Sequence, residues 1–169
     1  MTKLTMSRLI LVLAIAAPSA ALGSDGFVRK AGEGFFFFNG ITEKVSPETG
    51  SERSILAEQI FERGGTTGLH IHDQGDEIFY VAKGTGIAHL DGTDHSIGPG
   101  DVVFIPRGAV HEMSNPHSEE TLVVVFFMDS PELFHEFRAI KKRLEDPTPI
   151  TEEDRLHFRT FNGSRQVTR

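Results

Sequence analysis

The sequence predicts an all-β domain with a C-terminal helical extension. Short apolar segments separated by glycine- and proline-containing turns recur between residues 35 and 128, a pattern typical of β-strands. Apolar residues at helical spacing follow in residues 133–144. A chain of 169 residues, 38% hydrophobic and 24% charged, fits a single globular domain. We expect a signal peptide in residues 1–23, the β-domain in residues 24–129 and a helical tail in residues 130–169.

The N-terminal segment has the layout of a secretory signal peptide. Lys3 and Arg8 precede nine consecutive apolar residues, 9–17, and small residues follow them. Nine residues are too few to span a bilayer comfortably, and the chain has no cysteine for a lipid anchor. We expect cleavage after Ala21 or Gly23, a periplasmic or secreted protein, and no stable membrane anchor after processing. A retained anchor is the alternative.

The charge argues against a nucleic-acid-binding protein, and the cysteine content excludes a protein stabilised by disulfides. The formal net charge is −7 at pH 7, the pI is about 5.6, and no basic patch is visible, which argues against nucleic acid as a partner. Because the chain contains no cysteine, an exported form would depend on packing and bound metal rather than on disulfides.

The predicted β-domain begins with four consecutive phenylalanines, residues 35–38. Aromatic residues favour strands, so we expect a core strand buried on both faces. The alternative is that one or two of these rings line a ligand cavity. Residues 42–46 and 55–61 are predicted strands on either side of a turn at 47–51. Residues 64–68 form a flexible glycine-rich loop.

Later strands follow from alternation and from apolar runs. Glu77, Phe79 and Val81 share one face of a strand because side chains alternate with period two, and Tyr80 lies on the other face. Further strands are predicted at residues 87–90, 102–105 and 121–128. We expect the last two to be buried, without an exposed face.

A helix is predicted from Ser130, which suits the N-cap, and Pro131, which suits the first turn. Its apolar stripe is expected to pack on the β-domain, with a dimer contact as the alternative, and consists of Leu133, Phe137, Ile140 and Leu144. Residues 151–154 resemble a capping box for a second short helix. Fraying is expected from Gly163.

Residues 64–115 carry the candidate functional site. His70 and His72 point to the same side of an extended segment. Glu77 follows a turn-forming segment and can project beside them, and His111 follows a proline–glycine turn that can bring it in from the opposite side. We therefore expect these four side chains to converge.

Three imidazoles and one carboxylate suit a divalent transition metal: iron, manganese, nickel, copper or zinc. An octahedral ion held by four protein ligands keeps two positions open, whereas a closed structural zinc site more often uses cysteine. A lone histidine in a strand is more often packed or solvated than a ligand. The combined spacing favours a metal site. We expect none of the other histidines to be a ligand, with approach of His89 and His95 to the cavity as the alternative: His89, His95, His117, His135 and His157.

These residues resemble the two signature motifs of the cupin superfamily. The first motif is matched by Gly64, His70, His72, Glu77 and Gly84. The second is matched by Gly100, Pro106, Gly108, His111 and Asn115. The wider layout, about residues 34–137, is similar to single-domain type-2 cupins that are labelled quercetin-dioxygenase-like.

The resemblance implies a single jelly-roll β-barrel in which His70, His72, Glu77 and His111 bind the metal. It implies a metal-dependent dioxygenase acting on a small organic substrate, with Glu77 either a ligand only or also a catalytic base. A non-catalytic ligand-binding protein and an isomerase or lyase are the alternatives, since the fold does not choose among them.

The resemblance also implies a homodimer. The aromatic residues of the chain predict a mostly apolar pocket at the metal. Phe79 and the aromatic residues 35–38 are expected to contribute to this pocket. Arg107 is a candidate for contact with an anionic substrate, and exposure to solvent is the alternative.

Overall fold

Two antiparallel sheets make up most of the described chain, residues 26–161 and 164–167 of a computed structural model. The predicted signal peptide, residues 1–23, lies outside the described residues. In the described part, no helix combines the length and the apolar composition needed to cross a bilayer.

The strands are numbered in chain order. The first sheet has the order β1-β2-β3-β10-β5-β8. Its strands are β1 Phe35–Phe36, β2 Ile41–Val45, β3 Ile55–Phe61, β10 Leu122–Met128, β5 Glu77–Lys83 and β8 Val102–Ile105. The second has the order β11-β12-β4-β9-β6-β7. Its strands are β11 Thr160–Phe161, β12 Ser164–Gln166, β4 His70–His72, β9 His111–Ser114, β6 Gly86–Leu90 and β7 Thr93–Ile97.

The inward faces of the two sheets form the hydrophobic core. Burial alternates along β3, β5 and β10, as the period of a strand requires. Phe79 and Phe126 lie side by side in this core with ring centroids 5.8 Å apart, and Met113 faces them from the second sheet. Burying one such side chain contributes about 1.5–3 kcal/mol, so the core dominates the stability of the fold.

Helix α1, Glu132–Glu145, packs on the core as predicted. Leu133, Phe137 and Ile140 are buried, and Leu144 is about half exposed. The helix begins after Pro131, which is the N-cap residue, so the prediction of Ser130 as the cap is wrong. Ser130 is itself buried beneath the helix start.

Helix α2, Glu152–Arg159, has the predicted capping box. The Thr151 hydroxyl accepts from the Asp154 backbone N–H at 3.1 Å, and the Asp154 carboxylate accepts from the Thr151 N–H at 2.7 Å. Beyond α2, the expected fraying does not occur in residues 164–166, which pair with β4.

The prediction of a doubly buried strand at residues 35–38 is wrong for its first half. Phe35 and Phe36 are 43% and 56% exposed, whereas Phe37 is buried. Strand β1 is only two residues long and lies at the edge of its sheet. The chain then turns through Asn39 and Gly40, both with positive φ, so only the second half of the phenylalanine run enters the core.

The strands predicted to lack an exposed face also have one. Val102 and Phe104 on β8 are 63% and 56% exposed, and Phe127 on β10 is 38% exposed. These strands belong to an antiparallel sheet that covers the core with one face only. The apolar side chains on the other face therefore remain at the surface.

Candidate metal centre

The four predicted ligands come from three strands in two sheets. His70 and His72 lie on β4, His111 begins β9, and Glu77 begins β5 in the opposite sheet. One ligand atom from each residue lies within 4.8 Å of the others. The structure thus brings together the four residues that the sequence singled out.

Short contacts connect the four side chains. His70 Nε2 and His72 Nε2 are 3.1 Å apart, and His111 Nε2 is 3.0 Å from Glu77 Oε2. His72 Nε2 is 3.5 Å from the same carboxylate oxygen. The Nε2 atoms of all three rings therefore face a common centre.

Backbone carbonyls fix the orientation of two of the rings. His70 Nδ1 is 2.8 Å from the Gly68 carbonyl, and His111 Nδ1 is 3.0 Å from the Ala109 carbonyl. A carbonyl oxygen can only accept, so Nδ1 carries the proton in both rings. The Nε2 lone pairs are left for a cation, as in histidine ligands whose orientation is set by a second hydrogen bond.

Burial and mutual contact shift the protonation of the site. Burial, reinforced by His111 and His72, lowers the pKa of His70 to about 3. Burial opposes the ionisation of Glu77, but His72 and His111 prevail and hold the pKa of this carboxyl well below its usual range. Burial likewise opposes protonation of His111, but the hydrogen bond to Glu77 raises the pKa of this histidine.

The residues present fit a transition-metal ion. All four side chains are buried, with exposures between 0% and 8%. Three neutral imidazoles and a carboxylate form a donor set typical of zinc, iron, copper, nickel or manganese. The identity of the metal does not follow from these donors.

A cavity of about 140 Å³ opens onto three of the four ligands, His70, His72 and Glu77. The rest of its lining comes from Phe38, Asn39, Ile41, Gln59, Thr67, Phe79, Phe126, Leu133, Phe137, Phe158 and Gln166. The predicted contribution of Phe79 is confirmed. Of the four consecutive phenylalanines, Phe38 supplies the lining, in agreement with the alternative interpretation.

The sequence reasoning missed several lining residues. Gln59 was identifiable, because it is the one polar residue on the inward face of β3, which period two defines. Gln166 was not, because its position depends on the pairing of β12 with the ligand strand β4. Arg107 is exposed and lines a separate surface cavity. His89 and His117 line a larger cavity, of about 470 Å³, that contains none of the four ligands.

Asn115, the last residue of the second motif, has a structural role. Its side chain is fully buried, and its amide donates to the carbonyls of Phe61 and Glu120 at 3.1 and 3.0 Å. Its side-chain oxygen accepts from the Ser118 N–H at 3.1 Å. It therefore holds the loop that follows β9 without touching the metal centre.

Comparisons with known proteins agree with this architecture. The chain is 40% identical over 61 residues to the oxalate-binding protein of Thermotoga maritima. This aligned stretch covers 36% of this chain and 50% of that protein. It is 37% identical over 63 residues to an uncharacterised protein of Methanocaldococcus jannaschii. That aligned stretch covers 37% of this chain and 50% of that protein. The chain thus spans about half the length of these curated relatives.

The fold is similar to that of solved structures. A predicted oxalate decarboxylase of Thermotoga maritima superposes with a TM-score of 0.50 and 28% identity, over 53% of this chain and 77% of that one. The family model for the cupin domain matches residues 57–128, which include all four candidate ligands. Residues 57–128 therefore form a type-2 cupin domain within a jelly-roll β fold.

Proposed function

We propose that this protein is a metal-dependent dioxygenase that binds one divalent transition metal and a small organic substrate. The observation that carries the proposal is the convergence of four buried donor atoms at a cavity lined by phenylalanines. Such a cavity excludes bulk water and strengthens electrostatic contacts inside it.

The histidines and Glu77 would have different roles at the metal, as neutral and as negatively charged ligands. His70, His72 and His111 bind it as neutral ligands, and the Glu77 carboxylate leaves one positive charge on a divalent site. The bound metal would supply a Lewis-acidic, redox-capable centre with positions open to a substrate oxygen and to dioxygen. The residual charge favours a substrate that presents a deprotonated hydroxyl or enol.

Glu77 is also the candidate catalytic base. Its contacts with His72 and His111 lower its pKa, so in place it is a weak base and a good ligand. Movement away from these histidines would remove the contacts that lower its pKa. A detached Glu77 could then accept the proton of a substrate hydroxyl inside the cavity that it lines.

Elemental analysis and oxygen uptake test the proposal together. Protein purified without chelator or nickel affinity resin is expected to contain near-stoichiometric iron, manganese, copper or nickel and to consume oxygen with a hydroxylated substrate. His111→Ala should lose both properties, whereas the matched variant His89→Ala should retain them. Absence of metal under all conditions would overturn the proposal. Zinc, or product formed without oxygen, would favour an isomerase or lyase.

A second candidate function is binding of a small carboxylate without catalysis. The observation that favours it is the 40% identity to an oxalate-binding protein. The residues that line the cavity include no lysine or arginine, however, which leaves the metal as the only cation for an anionic ligand. Calorimetric titration of the metal-loaded protein with oxalate separates the two functions, because tight binding without any turnover supports the second.

We also propose that the protein is exported and pairs with a second copy. The outer face of the first sheet exposes apolar side chains on β5, β8 and β10, whereas β7 on the second sheet exposes polar ones. Ile78 pairs with both Phe127 and Phe104, and Tyr80 pairs with Val102, so this apolar face is continuous. Its exposed area is on the order of 500 Å² per copy. Two copies would bury roughly 1,000 Å², which is about the lower bound for a biological interface.

A further inference from the structure

The cavity at the metal centre is small. Its volume is about 140 Å³, and apolar cavities of roughly this size hold a single benzene ring. A three-ring flavonol such as quercetin is larger than this volume. The space beside the metal ligands therefore favours a substrate smaller than a flavonol.

The cavity wall is aromatic and carries no compensating charge. Five phenylalanine rings form much of it, from Phe38, Phe79, Phe126, Phe137 and Phe158. Apart from the metal ligands, no residue that lines it is ionisable. A second negative charge on a ligand would lose its hydration without gaining a cationic partner from the lining residues, which is costly. The wall thus favours a ligand with an aromatic ring whose ionisable oxygens all bind the metal.

Apart from the metal ligands, Gln59 is the buried polar residue among those that line this wall. It is 3% exposed and lies between the inward-facing apolar residues Ala57 and Phe61 on β3. Its amide nitrogen donates to the Asn39 carbonyl at 3.2 Å. That bond uses one of its two N–H groups, and within the described residues nothing donates to its carbonyl oxygen. One donor and one acceptor are left for a ligand.

The strand register separates Gln59 from Glu77 along the inward face of the first sheet. Gln59 pairs with Val124, which pairs with Val81, four residues beyond Glu77 on β5. Two strand spacings and four residues separate the two Cα positions by roughly 16 Å. Both side chains contribute to the cavity, so the space between them has room for about one ring and its substituents.

We propose that the substrate is a single-ring compound with metal-binding oxygens at one end and a hydrogen-bonding group at the other, which Gln59 positions. This rests on the proposed function insofar as it places a metal at the four ligands. Gln59 acts at a distance from the reacting oxygens and is a positioning and specificity residue. Its carboxamide matches a neutral group that both donates and accepts, such as an amide.

Two ring probes test this assignment by calorimetry under anaerobic conditions, after the metal content has been measured. The first probe, 3,4-dihydroxybenzamide, has two oxygens for the metal and an amide for Gln59. The second, 4-methylcatechol, has the same two oxygens and a methyl group. Gln59→Leu is expected to weaken binding of the amide about tenfold and to change binding of the methyl compound less than about twofold.

The difference between the probes separates positioning from a structural role. An equal loss for both probes would overturn the assignment, because damage to the fold does not distinguish their substituents. Quercetin binding as tightly as 3,4-dihydroxybenzamide, or oxalate binding more tightly, would overturn the substrate class. Gln59→Met, which keeps the length of the side chain, is a second variant in case the leucine variant does not fold.

Failure of the metal site can be recognised independently. If the protein contains no metal, the proposed function fails, and thermal stabilisation of the metal-free protein by the same two probes still measures ring binding. Greater stabilisation by the amide than by the methyl compound, lost in Gln59→Leu, would support the ring site alone. Equal or absent stabilisation by the two probes would overturn it.

Discussion

His70 and His111 are directly opposed residues of neighbouring antiparallel strands, and their ring centroids are 4.1 Å apart. This pairing fixes two of the four candidate ligands within one sheet. Glu77 reaches the same centre from the other sheet. A metal ion at this point would therefore connect the two sheets, and its binding should be coupled to the stability of the whole β-domain.

The first prediction is that metal loading stabilises the protein through His111. Free metal at a thousandfold excess over its dissociation constant should raise the free energy of unfolding by about 4 kcal/mol. His111→Ala should abolish this gain, because it removes a buried ligand, and His89→Ala should preserve it. Urea unfolding with and without metal measures the difference. An equal gain in the His111 variant would place the metal elsewhere.

The second prediction is that the metal-free protein loses stability in acid. Burial lowers the pKa of His70 from 6.5 to about 3. Between pH 3 and pH 6.5, this histidine is therefore protonated in the unfolded chain and neutral in the folded chain. The free energy of unfolding should fall as the pH falls through this interval, by up to about 1.4 kcal/mol per pH unit from this group. Glu77, whose folded-state pKa is also lowered, adds to the loss below pH 4.5.

His111 acts above this range. Its raised pKa contributes stability that is present below pH 6.5 and is lost as the pH rises through the folded-state value. Urea unfolding of metal-free protein between pH 7 and pH 4 measures the acid loss. His70→Leu should flatten the profile, whereas His95→Gln, at an exposed position of β7, should leave it unchanged. A flat profile in the unmodified protein would contradict the prediction.

Local sequence patterns were sufficient for much of the fold and for the membership of the candidate site. Alternation placed Glu77, Phe79 and Val81 on one buried face of β5, and the bounds predicted for β3 match those observed. Motif spacing selected the four residues that converge. Each of these inferences depends on periodicity or spacing within a short stretch of chain, which is the information that one sequence contains.

Apart from the N-cap of α1, the errors concern relations between distant segments. Val102 and Phe104 are apolar, but composition does not reveal which face of a sheet lacks a cover. The pairing of β12 with β4 joins residues 164–166 to the histidine strand, and no local pattern indicates a partner so far away along the chain. The role of Gln166 in the cavity followed from that pairing and was missed with it.

The third prediction distinguishes two motif glycines with positive φ. A Cβ on Gly84 would lie 2.3 Å from the Thr121 carbonyl oxygen, whereas a Cβ on Gly100 would meet nothing within 4 Å. Gly100→Ala should cost about 1–2 kcal/mol from the left-handed backbone alone. Gly84→Ala should cost at least about 3 kcal/mol, since the backbone of the neighbouring strand must move as well. Similar costs in urea unfolding would show that this close approach is unimportant.

The last prediction concerns the apolar outer face of the first sheet. Phe104 is 56% exposed and pairs across the sheet with Ile78, which is itself 37% exposed. If this face holds a second copy, Phe104→Lys places a charge in the interface twice, once from each partner, and should convert the dimer to a monomer.

His95→Lys, on the exposed strand of the other sheet, is the matched control and should remain dimeric. Light scattering gives the mass of each variant. A dimer that survives Phe104→Lys would assign pairing to another surface, and a monomer before any substitution would leave this face to a different partner.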